Sequence, residues 1–110
     1  MFEAVKVNAD GPAVESDRIP AFVITKDGED TEYTIPRVIS GPTSLLALEV
    51  FVTSGETATV LWLARHALGS KGMDAVLTCD QLQLSDAQAL INRIGQHYLG
   101  QVKELGKAQE

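Results

Sequence analysis

Apolar and polar positions along this chain alternate with a period of two in one stretch and then lengthen to a helical period. Residues 21–35 read AFVITKDGEDTEYTI, in which Phe22, Ile24, Tyr33 and Ile35 are set against Thr25, Asp30, Glu32 and Thr34. A period of two is that of a strand with one face buried. The two runs flank Asp27-Gly28, a dipeptide suited to a two-residue type I′ turn because both central residues take positive φ. Closing the hairpin there predicts Phe22 opposite Tyr33, Ile24 opposite Thr31 and Lys26 opposite Glu29, with the four apolar side chains on one face. A hairpin alone is marginal in water, so that face must lie on helices or be joined by another strand. Residues 1–7 supply a candidate third strand, with Phe2 and Ala4 on one side and Val5 and Val7 on the other. Residues 8–19, NADGPAVESDRI, carry turn formers and charge and read as a loop.

Beyond Pro36, which ends the second strand, the period becomes helical. Pro42 is a good first helical residue. Residues 43–52, TSLLALEVFV, are apolar almost all round a helical wheel with Glu49 the only charge, which predicts a helix buried on most sides, although the β-branched end VFVT equally suits a strand. Residues 53–69, TSGETATVLWLARHALG, are the clearest helix. Thr53 and Glu56 have capping-box spacing, and Gly69 suits a left-handed helix end. Val60, Leu61, Leu63, Ala64, Ala67 and Leu68 form its apolar arc, while Trp62, Arg65 and His66 fall outside it. Residues 73–78 read as a short helix burying Met73, Val76 and Leu77, and residues 79–84 as a linker. Ser85 and Gln88 form a second capping box, with Asp86 placed where the helix dipole favours negative charge. Ala87, Leu90, Ile91, Ile94, Tyr98, Val102 and Leu105 then make one stripe. Gly95 and Gly100 weaken this helix, so it is expected to fray or end near Gly100.

The expected architecture is α+β: a short N-terminal β-hairpin, with a third strand as an option, followed by a bundle of about four helices. It forms a single globular domain over residues 1–100, divided into strand and loop (1–20), hairpin (21–35) and helical region (42–100). Residues 101–110 are expected to be a charged, loosely held tail.

Composition narrows the partners. A length of 110 residues suffices for one core, and 45% hydrophobic residues support folding. The net charge of −6 and isoelectric point near 4.8 argue against a nucleic-acid backbone or an anionic membrane, both of which select clustered Lys and Arg. A single cysteine, Cys79, excludes an internal disulfide and a cysteine-based metal site. No stretch of 18 uninterrupted apolar residues and no basic leader with a long apolar run is present, so the expectation is a soluble, unexported protein.

Candidate chemistry is sparse. His66 and His97 lie on different helices without metal-ligand spacing, and the acidic GEDTE run lacks the alternating ligands of an EF-hand. There is no GxSxG, P-loop or GxGxxG motif. The expectation is a non-enzymatic protein with no catalytic residues, no metal and no cofactor. An indole beside Arg65 and His66 on the polar side of a helix has two readings: a second layer of the chain covers it, or it is an anchor for a partner, since Trp and Arg are enriched at interface hot spots. Trp62, Arg65 and His66 are the candidate partner-binding residues.

The order of these pieces carries a resemblance. A hairpin ending EYTIPR, a proline-led apolar helix, and then GETATVLWLARHALGSKGMDAVLTCDQLQLSDAQALINRIGQHYLG resemble the tail assembly chaperones of long-tailed bacteriophages. In that family a strand ending Y-x-I/L-P precedes helices, and a Leu-Gly helix end, a G-x-D-A-L-like turn and a capped last helix are similar to Leu68-Gly69, residues 72–77 and Leu84-Ser85. The likeness spans residues 32–100 and rests on packing and capping residues. It implies a chaperone that binds the tape-measure protein, keeps its apolar helical segments soluble, helps recruit tail-tube subunits and is absent from the mature virion. It places the chain in the cytoplasm of an infected host bacterium, with a longer frameshifted product frequent in the family. Self-association to a homo-oligomer is compatible with this reading; nucleic acid and membrane are not expected partners. The alternatives are a virion structural component of tail-completion or head–tail connector type, and a small bacterial regulator or antitoxin-like binding module.

Overall fold

The computed structural model describes residues 3–108. A 3-10 turn (Val14–Ser16) leads into strands β1 (Arg18–Lys26) and β2 (Glu29–Pro36), then helices α1 (Gly41–Leu77) and α2 (Leu84–Ala108). The hairpin has the register set by its turn: Phe22 pairs with Tyr33, Ile24 with Thr31 and Lys26 with Glu29. Asp27 at φ 54° and Gly28 at φ 77° make the turn. β1 begins earlier than the alternation suggests, at Arg18, and the pairing continues there past a bulge in which Ala21 is an extra residue between the Pro20–Thr34 and Phe22–Tyr33 pairs. Pro20 cannot donate to the ladder. Next to it the Arg18 guanidinium bonds the Thr34 hydroxyl at 2.9 Å and carbonyl at 2.7 Å.

Two expectations are corrected here. The sheet has two strands, and residues 3–7 form none; Met1 and Phe2 of the expected third strand lie outside the described residues. The helical region is a pair of long elements rather than a bundle of about four, because α1 takes in all three stretches that read as separate helices ahead of the linker. The physical reason lies in Gly55 (φ 86°), expected inside the second helix, and Gly69 (φ 67°), expected at its end, each of which bends the chain within one residue.

The first bend is severe. A straight helix would separate Thr43 and His66 by about 35 Å at ~1.5 Å per residue. Their side chains lie 3.2 Å apart, so α1 folds back on itself at Gly55. Thr53 accordingly caps nothing: its hydroxyl donates to the Glu49 carbonyl at 2.8 Å, and Glu56 turns away to pair with Lys103 at 2.9 Å. By length and composition α1 passes for a membrane span, with a mean hydropathy of 1.3 over its apolar window. The fold-back leaves residues 41–54 as a straight arm of only ~21 Å, against the ~30 Å of a bilayer core.

The core is a continuous cluster under the hairpin, built from Ile35 and Ile39, Ala47 and Leu63 of α1, and Ile94, Tyr98 and Val102 of α2 among others. α2 closes it. Its residue Gly95 lies against Val60, where a Cβ would collide with the Val60 carbonyl and Cγ1. The helix does not stop at Gly100: it continues to Ala108, and Val102 is completely buried. Ser85 sits inside its first turn, where the Ala87 N–H bonds the Gln83 carbonyl at 2.9 Å.

Candidate partner-binding surface

The start of α1 is fastened from three directions. Ser40 caps it, accepting from the Thr43 N–H at 3.3 Å. Glu15, from the 3-10 turn, accepts from the Ser40 N–H at 2.8 Å and the Thr43 hydroxyl at 2.6 Å. The other Glu15 oxygen meets His66 Nε2 at 2.8 Å, and Thr43 Oγ1 lies 3.2 Å from the same nitrogen. Burial alone would push the Glu15 carboxyl up. The hydrogen bonds from Ser40, Thr43 and His66 outweigh it and hold the group down to about 2. A carboxylate at a helix N-terminus also faces the positive end of the helix dipole. The cluster thus ties the N-terminal segment, the start of α1 and the return arm of α1 together.

The three sequence-selected residues sit at this junction in different roles. Trp62 is half-buried and packs on the core, with its ring stacked on His66 at 5.5 Å and an interplanar angle of 5°. His66 is occupied by Glu15 and Thr43. Arg65 is exposed. Among the described residues no group of three or more His, Cys, Asp or Glu side chains is placed to hold a metal ion.

Sequence reasoning missed a larger feature on the first arm of α1. Residues 43–52 were expected to be buried on most sides, yet only one side is. Thr43, Ser44 and Ala47 face inward, whereas Leu45, Leu46 and Val52 are 58%, 54% and 76% exposed. Glu49 lies among them on the same outward side, by its position in the turn. Contact surfaces commonly carry an apolar helix face of this kind open to water. The signal was present in the all-round apolarity, but which side would stay uncovered depends on where the fold-back at Gly55 and α2 lie. Because Thr43 is level with His66, one helical turn further in brings Trp62 level with Ala47, beside Leu46. The open face therefore borders Trp62.

Compared with known protein families, curated proteins and solved structures, the chain matches none.

Proposed function

We propose that this protein is a non-enzymatic chaperone of the tail-assembly kind, which binds apolar helical segments of a tape-measure protein and keeps them soluble while tail-tube subunits are recruited. One observation carries the reading: the outward apolar face of α1 at Leu45, Leu46 and Val52, with Glu49 as its single charge. Such a face receives an amphipathic helix through anchors spaced three, four and seven residues apart. Glu49 favours a helix with Lys or Arg within its apolar stripe, and an overall charge of −6 favours a basic segment. Trp62, Arg65 and His66 are the candidate residues of the neighbouring arm, with Arg65 exposed and His66 stacked on the Trp62 ring. The resemblance in element order over residues 32–100 agrees with this role.

The test is co-expression with a long helical protein of the tape-measure kind from a neighbouring gene, where one is found, followed by size-exclusion chromatography. The neighbour becomes soluble and co-elutes with this chain. Val52→Glu or Leu46→Glu abolishes co-elution while shifting the chain's own melting temperature by only a few degrees, since both side chains already meet water. A neighbour that stays insoluble, or recovery of this chain in purified virions, rejects the reading.

A further inference from the structure

We propose that residues 3–7 of one copy add as a third strand along the free edge of β1 in a second copy of this chain. β1 pairs with β2 alone, so its other edge presents unpaired backbone groups. Along that edge runs an apolar cavity of about 190 Å³, lined by the consecutive β1 residues Phe22, Val23 and Ile24 and by Val76, Cys79, Leu82 and Leu90, with Asp86 on its wall. An engineered cavity of about 150 Å³ is enough to take up benzene, so this one has room for a side chain. Outside the sheet, Val23 of β1 is 54% exposed.

The N-terminal arm carries what this edge lacks. Residues 3–14 are exposed throughout, with Val5 and Val7 at 78% and 80%. Alternation in a strand places Val5 and Val7 on one face and Lys6 on the other. An antiparallel register that sets Val5 or Val7 beside Val23 covers all three valines on the outer face. The same register turns Lys6 to the side of Phe22 and Ile24, where its aliphatic stem spans the cavity and its ammonium reaches Asp86. A slip of one residue would bury a valine with no cation for Asp86 and expose Lys6 beside Val23, so register and charge select the same pairing. Within its own chain the arm leaves from the Val14–Ser16 turn, which Glu15 holds at the far-side junction of Ser40, Thr43 and His66. Reciprocal exchange between two copies gives a closed, two-fold dimer in which each hairpin becomes three-stranded.

Light scattering on the full chain tests this. The wild type has the mass of a dimer, and removing residues 1–8, of which residues 3–8 are exposed, halves it. Lys6→Glu raises the dimer dissociation constant about tenfold, and adding Asp86→Lys reverses that rise. Mixing two single-cysteine chains, Val5→Cys and Val23→Cys, each with Cys79→Ser, yields a disulfide-linked heterodimer. A full chain that is monomeric, a dimer that survives loss of the arm, or a Lys6→Glu chain with unchanged dissociation overturns the proposal. So does a disulfide that forms only inside a chain carrying both cysteines, which would place the arm on its own hairpin.

Discussion

Glu15 shows how much one side chain can hold. In sequence it is one charge in a turn-rich loop, and nothing in the periodicity of the chain links it to Ser40, Thr43 and His66, which lie 25, 28 and 51 residues further on. Its folded value of about 2 lies below the ordinary 4.5, so its hydrogen bonds stabilise the fold fully above the ordinary value and are lost as pH falls from there toward 2. Glu15→Gln should therefore cost about 1–2 kcal/mol at neutral pH, after allowing for screening at this partly exposed site. Urea titrations at pH 7 and pH 3 would show the two proteins far apart at the first and closer at the second. An equal gap at both would mean that the carboxylate charge contributes nothing. Trp62 is legible in the sequence only as a choice between core and anchor. Its packing on the core and stacking on His66 mean that truncating it would disturb the fold as well as any contact, which is why Val52 and Leu46 are the cleaner probes of the surface.

At the scale of elements, the hairpin is readable because its information is local: Asp27-Gly28 fixes the turn, and alternation fixes the face. The helices are readable as helical residues but not as elements, because glycine has more than one use. Pattern alone makes Gly55 an early residue of a capped helix, yet at φ 86° and ψ −176° it is the point where α1 reverses. That conformation is nearly closed to residues with a Cβ, while the space around Gly55 is open, so Gly55→Ala should cost about 1–3 kcal/mol through the backbone alone. Pattern likewise makes Gly95 a weak point in the last helix. It lies directly against α1, and Gly95→Ala would drive a methyl into the Val60 backbone. Helix propensity favours the substitution by about 1 kcal/mol, whereas overpacking at a helix crossing costs about 1–3 kcal/mol or more. The collision with backbone decides the sign, and chemical denaturation should find Gly95→Ala destabilised. A stabilised Gly95→Ala protein would show that the helices are not in contact there.

For the whole molecule, the radius of gyration of 16.2 Å exceeds the ~13 Å of a compact domain near this length, in keeping with an exposed arm and a thin helical layer. A molecule so spread depends on seams, and the main one runs along α2. His97 bonds the Arg37 carbonyl at 2.8 Å, Tyr98 donates to the Pro36 carbonyl, and Gln101 donates to the Ile39 carbonyl at 2.7 Å while accepting weakly from the Ile39 N–H. Burial pushes the Tyr98 hydroxyl up to about 12, with Arg18 opposing and Glu15 reinforcing the shift, so it stays a donor at any ordinary pH. Three positions on one face of α2 thus bond the joint between β2 and α1, beside the Glu15 cluster that fastens the start of α1. Sequence pattern assigns residues 101–110 to a loose tail, since charge dominates there and Gly100 precedes them. What it cannot show is that Gln101 pairs with a backbone 62 residues away and that Val102 enters the core. Deleting residues 101–110 should then remove about 2 kcal/mol of apolar burial at Val102 and about 1 kcal/mol for each of the two shorter Gln101 hydrogen bonds, to the Ile39 carbonyl and the Ser44 hydroxyl. Against a total stability of about 5–15 kcal/mol, that lowers the melting temperature by at least ~15 °C or leaves the chain unfolded. Circular dichroism melts of the full and shortened chains decide it: a shortened chain that melts within a few degrees of the full one would return those residues to the status of a tail. The alternative outcome makes the last turns of α2 the clamp on which the α1 contact surface depends.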